Sequence, residues 1–213
     1  MLPATYPHVL AFDLAMGLMT RSDFPFPVIG LVHIGNRIEQ RRRLTAADRL
    51  SVKVGVADLR EHPRGRQFDL VTTAECGGEQ VWRDVSTYLR REKTSPKEPR
   101  EDTKTPVAQA IWRVGAEVGP AYARASGDHN PIHTSRLGAR LFGFPRPIAH
   151  GMWTKARCLA ALEGRLPEAF TVDVVFKLPI LLPSRVGFSY SRGELAVFHA
   201  SNGKPHLSGR ISA

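Results

Sequence analysis

Apolar positions divide the chain into two stretches of similar plan with a polar stretch between them. Val9, Leu10, Phe12, Leu14, Met16 and Leu18 combine helical with alternate spacing, which predicts a core helix from Tyr6 to about Thr20, buried on most sides. A Phe-Pro-Phe-Pro turn at 24–27 leads into strand-like runs at Val28–Arg37, Leu50–Val56, Gln67–Thr73 and Val81–Leu89. Residues 61–65 and Gly77-Gly78 supply hairpin connections between the later runs. A helix followed by an antiparallel meander is an α+β arrangement. From Arg91 to Pro106 the text is polar and proline-rich with no apolar period, which is the composition of a linker. Beyond it the pattern predicts a short strand at Ala110–Val114, helices at Val118–Ala125, Thr134–Phe142 and Met152–Leu162, and strands at Val172–Leu178, Arg185–Ser191, Leu195–Ala200 and His206–Ile211. Asn202-Gly203 is a strong hairpin signal.

The two stretches align on each other. Pro147 lies 140 residues after Pro7, Pro167 after Pro27, Val172 after Val32 and Lys177 after Arg37, one offset spanning helix, turn and strand. Further on the offset falls to 125, between Gly78 and Gly203. The chain is therefore expected to hold an internal repeat, with residues 1–93 as the first half, a linker at 94–107 and the second half at 108–213.

Candidate chemistry is confined to the second half. Ser126-Gly127-Asp128-His129-Asn130-Pro131-Ile132-His133 sets an acid and an imidazole around an Asn-Pro. Gly and Pro disfavour helix interiors, so this is a shaped loop that aims two titratable groups. Downstream, the punctuated segment Gly143 to Met152 enters an apolar helix near Gly151. A helix start offers free N–H groups and partial positive charge. An acid/base pair plus an oxyanion site are the parts needed for chemistry beside a carbonyl. Shifting Asp128 or His133 back by 140 gives positions below 1, so the first half is expected to hold no counterpart of this loop, and Gly151 is matched there by Ala11. His150 is expected to be a hydrogen-bonding residue at the helix entry, His129 to face solvent, and Trp82, Trp112 and Trp153 to pack.

Composition narrows the classes. With 42% hydrophobic and 23% charged residues among 213, neither disorder nor membrane insertion is indicated, and a cytoplasmic location is expected. Cys76 and Cys158 are too few for a disulfide framework or a zinc cluster and read as packing residues; no metal is expected. The net charge of +10 invites a nucleic-acid reading. Yet the clusters at Arg41–Arg43, Arg60–Arg66 and Arg90-Arg91 carry no nucleic-acid-binding signature, so a solvated face, or a funnel for a polyanionic small molecule, is expected instead.

The run from Tyr122 through Ser126-Gly127-Asp128, Asn130-Pro131-Ile132-His133, Ala139 and Gly143-Phe144 to Ile148-Ala149-His150-Gly151-Met152 resembles the signature of MaoC-like, R-specific enoyl-CoA hydratases. With the repeat, the whole chain resembles the double hot-dog branch, in which a half without catalytic residues is fused to one that has them. The resemblance implies an antiparallel sheet wrapped around a long central helix in each repeat. It also implies R-specific hydration of a trans-2-enoyl thioester to the 3R-hydroxyacyl thioester, or the reverse dehydration. In that reading Asp128 and His133 are catalytic, the Gly151 N–H stabilises the oxyanion and Asn130 orients the loop. Ile148, Ala149, Met152 and Trp153 border the acyl group, and Lys177 and Arg146 contact coenzyme A phosphates. The substrate would be an acyl-CoA or acyl carrier protein thioester, with no further cofactor, no nucleic acid and no membrane.

Two departures stand out. The first half starts almost at its helix, so it is expected to be an incomplete unit whose sheet edge is covered by the other half or by a second chain, a homodimer among the options. Ser135 stands where the family often has an acidic residue. Competing expectations are a hot-dog thioesterase and a catalytically weak subunit that binds acyl thioesters or a partner chain.

Overall fold

A computed structural model describes residues 1–92 and 106–213. Residues 94–105 of the expected linker lie outside the described residues. The chain groups into two compact units, Met1–Lys104 with Pro167–Asp173 and Ala213, and Thr105–Leu166 with Val174–Ser212.

The first unit opens with α1 (Tyr6–Leu10) and α2 (Phe12–Met19), followed by β1 (Leu31–Gln40), β2 (Ser51–His62), β3 (Gly65–Cys76) and β4 (Glu79–Arg91). The helix expected from Tyr6 to Thr20 thus forms in two pieces that meet at Ala11, although the Ala11 N–H still reaches the Pro7 carbonyl at 3.0 Å. The expected burial on most sides is corrected. Only Pro7, Ala11, Ala15 and Met19 are buried, a stripe at four-residue spacing, while Leu10 and Leu14 are 46% and 52% exposed. Apolar residues ring the helix, but a single stripe meets the core, where Ala15 and Met19 join Phe26, Phe68 and Leu70. Strand β1 begins three residues later than expected, because residues 28–30 form a turn in which the Leu31 N–H returns to the Val28 carbonyl. The strands β2, β3, β4 and β1 lie side by side in that order. Alternating burial along β3 and β4 is the mark of a sheet with one face on the core. Trp82 is fully buried and donates its indole N–H to the Ala4 carbonyl at 2.7 Å, as expected of a packing residue.

In the second unit come β5 (Ala110–Val114), α3 (Val118–Ser126), α4 (Pro131–Thr134), α5 (Arg136–Leu141), α6 (Gly151–Ala160), and then β6 (Phe170–Phe176), whose residues up to Asp173 group with the first unit, β7 (Ser184–Ser191), β8 (Glu194–His199) and β9 (Pro205–Ser212). The strand order is β6-β9-β8-β7-β5. This mirrors β1-β4-β3-β2 of the first unit, strand for strand, with β5 added. The 140-residue offset lays α2 onto residues 152–159, inside α6, and starts β1 at residue 171, inside β6. Buried Val174, Val186, Phe188, Leu195, Val197 and Leu207 line the sheet, and Met152, Cys158 and Leu159 are the buried apolar side chains of α6. Burial pushes the Cys158 thiol up to about 12, which keeps it a protonated packing residue.

Many of the basic residues that raise the net charge are tied to acids at the surface of the first unit. Arg42 reaches Asp48 at 2.8 Å, Arg60 reaches Asp58 at 2.7 Å and Arg66 reaches Glu92 at 3.5 Å. Among the described residues no helix is long and apolar enough to cross a membrane.

Candidate active site

The candidate loop is built by a chain of local hydrogen bonds. Helix α3 ends at Gly127, whose φ of +78° is a left-handed cap that glycine adopts without steric cost. The Ser126 hydroxyl donates to the Tyr122 carbonyl at 2.8 Å and accepts the Asp128 N–H at 3.2 Å. Asp128 Oδ1 accepts the Asn130 N–H at 3.1 Å, and Asn130 Oδ1 accepts the Ile132 N–H at 3.2 Å. Asn130 is therefore the N-cap of α4, with Pro131 preset for the first helical position. This single turn carries His133.

Packing seats the turn. A Cβ on Gly119 of α3 would run into the His133 carbonyl oxygen, so only glycine lets the helix lie this close. Ser135 caps α5 by accepting the Gly138 N–H at 3.2 Å, which gives this departure from the family pattern a structural task. The Ile148 N–H bonds the Ile132 carbonyl at 3.0 Å, drawing the segment before α6 alongside α4.

His133 is buried, and its Nδ1 lies 2.7 Å from the Ile148 carbonyl. A carbonyl only accepts, so Nδ1 carries the proton and Nε2 keeps its lone pair. Burial is the main influence on this imidazole and pulls its pKa below the ordinary value, with the Ile148 bond and the Asp128 charge opposing. Asp128 is half-buried. His150, the N-cap residue of α6, is the member whose place the sequence did not show. Its ring lies against that of His133 with centroids 3.6 Å apart and planes 25° apart. Its Nε2 donates to the Asp128 backbone carbonyl at 3.1 Å and stands 3.7 Å from Asp128 Oδ2. Burial first, then the neighbouring His133, pull the His150 pKa down to about 4. One polar side-chain atom from each of Asp128, His133 and His150 lies within 4.8 Å of the other two. A water accepting or donating at about 2.8 Å on each side spans such a separation.

The same trio has metal-ligand chemistry, but its geometry does not fit an ion. Imidazole lone pairs lie in the ring plane, and two stacked planes tilted by 25° aim them side by side rather than at one point about 2 Å from each.

Gly151 is the first residue of α6, where the backbone N–H has no intrahelical partner. A Cβ there would meet the Phe176 ring at 3.0–3.1 Å, so glycine also serves the packing of the helix start. Ile148, Ala149 and Met152 are buried and Trp153 is half-buried. Lys177 and Arg146 are exposed; Arg146 Nη1 reaches the Pro183 carbonyl at 3.4 Å. His129 faces solvent, as expected. Gly119 and the His150 ring are the site components that sequence reasoning missed. A small residue on a helix face carries no signal of what approaches it.

The geometry has relatives. The MaoC like domain family matches residues 92–195, a span that holds the whole candidate site. Over 98% of this chain and 78% of its own length, 3-hydroxyacyl-thioester dehydratase X of Mycobacterium tuberculosis is 40% identical. The chain belongs to the MaoC-like dehydratase family. A second relative, the peroxisomal enoyl-CoA hydratase 2 of Arabidopsis thaliana, is 29% identical over 62% of this chain and 48% of its own. The crystal structure of HtdX of Mycobacterium tuberculosis superposes with a TM-score of 0.87 at 38% identity, covering 98% of this chain and 86% of that one. The α+β architecture described above is thus the hot-dog fold of MaoC-like dehydratases.

Proposed function

We propose that this chain is a hydro-lyase that adds water to trans-2-enoyl thioesters to give 3R-hydroxyacyl thioesters, or removes it in the reverse direction, within fatty acid metabolism. The observation that carries the reading is His133, locked by the Ile148 carbonyl with Nε2 free and an Asp128 oxygen within 4.8 Å. Its lowered pKa leaves the imidazole neutral, hence basic, at neutral pH. In hydration, water bound by the pair divides: its OH bonds to the β-carbon and one proton ends on the α-carbon. The pair accepts one proton and returns one, finishing in the protonation state in which it began. As the thioester becomes enolate-like, the Gly151 N–H at the start of α6 offers a donor to the carbonyl oxygen. Asn130 holds the loop by capping α4.

Ile148, Ala149, Met152 and Trp153 border the acyl group in this proposal, and exposed Lys177 and Arg146 meet the phosphates of a coenzyme A or acyl carrier protein thioester. No metal or other cofactor takes part; the stacked imidazoles support this. We assign the chain to the cytosol and to a homodimer on the same footing. The test is turnover of trans-2-enoyl-CoA substrates of graded chain length, followed as loss of the conjugated thioester absorbance. Asp128→Asn and His133→Gln are each expected to lower kcat by about 10²–10⁴-fold, the range for removal of a general acid or base, with folding retained. Unchanged turnover in both variants, or release of free thiol in place of hydration, would overturn the assignment.

A further inference from the structure

We propose that His150 is a positioning residue of this site: one face of its ring holds the His133 imidazole flat, and its Nε2–H ties down the Asp128 backbone. The inference rests on the hydratase reading and adds a residue to it.

Position and contacts do not match a helix-entry role. His150 occupies the N-cap of α6, yet its side chain makes no capping hydrogen bond. N-cap side chains ordinarily accept from the first turn, and an imidazole placed there contributes little to the helix. Its polar capacity is directed backward, to the Asp128 carbonyl 22 residues earlier in the chain, at 3.1 Å. The other nitrogen, Nδ1, is buried with no hydrogen-bond partner among the described residues. The ring therefore has one polar tie and one stacked face.

Each contact supplies a constraint the site otherwise lacks. His133 has a single in-plane anchor, Nδ1 to the Ile148 carbonyl, and one hydrogen bond leaves the tilt of a ring free. A second ring at 3.6 Å removes that freedom and fixes the direction of the Nε2 lone pair. The Asp128 side chain is anchored on its own loop by the Asn130 N–H, and the tie from His150 adds the only anchor from α6 that acts on its backbone among the described residues. Tyr122 of α3 backs the assembly, its ring centroid 4.9 Å from that of His150. The titratable groups facing His150 are His133 and Asp128, with Tyr122 from α3 and His129 from the loop. Burial keeps His150 neutral when His133 works, so the stack does not place a second positive charge beside the catalytic imidazole.

The two contacts can be separated by substitution. His150→Gln keeps an N–H donor and removes the ring; His150→Phe keeps the ring and removes the donor. Displacing a catalytic group by about 1 Å costs up to ~10²-fold. Each variant is accordingly expected to lower kcat by about 10-fold or more with KM changed less than about twofold, and His150→Ala by about 100-fold. In His150→Gln the uncovered His133 becomes better solvated, its pKa rises, and the acid limb of the kcat profile moves to higher pH; in His150→Phe the limb stays in place. The same contrast is read without turnover by titrating the His133 imidazole by NMR in the free proteins. That readout stands even if the unmodified chain hydrates none of the enoyl thioesters, which would sink the hydratase reading alone. Wild-type kcat in both single-contact variants, or an equal His133 titration in all the proteins, would overturn the proposal.

Discussion

Burial is the main reason that His133 and His150 are neutral, and that has a measurable consequence for stability. Burial, with the neighbouring His133 adding to it, holds His150 down to about 4 in the folded chain, whereas a free imidazole titrates near 6.5. Between those values the unfolded chain takes up more protons than the folded one. The stabilisation is fully present above about 6.5 and is lost as the pH falls toward 4, by on the order of 3 kcal/mol from this group. Urea denaturation at pH 7, 5.5 and 4.5 is expected to show a falling midpoint, with a shallower fall in His150→Phe; equal slopes in the two proteins would contradict the argument. The catalytic profile follows the same sign. Because the His133 pKa is also lowered, the acid limb of kcat is expected below the ordinary imidazole value, with a flat rate through neutrality. The motif around Asp128 and His133 was legible in the sequence, since both residues sit in a punctuated loop of eight. The His150 ring was not, because Asp128 and His133, which it contacts, stand 22 and 17 positions earlier in the chain.

Among the elements, α4 is the smallest and the most dependent on its neighbours. Four residues cannot form an isolated helix, so the turn that carries His133 exists through its Asn130 cap, its bond to Ile148 and the close approach of α3 at Gly119. Gly119→Ala puts a methyl group against the His133 carbonyl oxygen and has no free space to relax into. It is expected to destabilise the chain by about 1–3 kcal/mol, as overpacking does, and to lower kcat by up to about 100-fold by shifting the turn. Ser135→Ala removes only the cap of α5 and is expected to cost about 1 kcal/mol with a smaller effect on kcat. Thermal melts beside turnover separate the two; a fully active, fully stable Gly119→Ala would show that the approach is looser than described. The strands and most helices were legible as apolar periods, and β5 was placed to the residue. The split of the first helix at Ala11 was not, for no Gly or Pro stands within three residues of it.

On the scale of the whole molecule, two units share a plan and differ in chemistry. The first unit also has an imidazole beside a carboxylate, His8 Nδ1 to Asp84 Oδ2 at 3.1 Å. There, however, the carboxylate is 1% exposed and already accepts from Asn36 at 2.7 Å and from the Ser86 hydroxyl at 2.8 Å. Such a filled network rigidifies a core; it leaves no oxygen free for a substrate. His8→Gln is therefore expected to leave kcat for short enoyl thioesters within about twofold while lowering stability by about 1 kcal/mol. A tenfold fall in kcat in the folded variant would assign the first unit a part in the chemistry.

What the sequence determined by itself was the repeat, the strand count of each half and the loop that holds Asp128 and His133. These are written in local periodicity and in the positions of Gly, Pro and Asn, each of which acts over a few residues. Only the tertiary structure decided which side of α1 and α2 is buried, why Gly119 must be glycine, which nitrogen of His133 is free, and that His150 lies on its face. Those outcomes depend on a carbonyl, a ring or a helix brought from elsewhere in the chain, and on distances of 3–4 Å that no local pattern encodes.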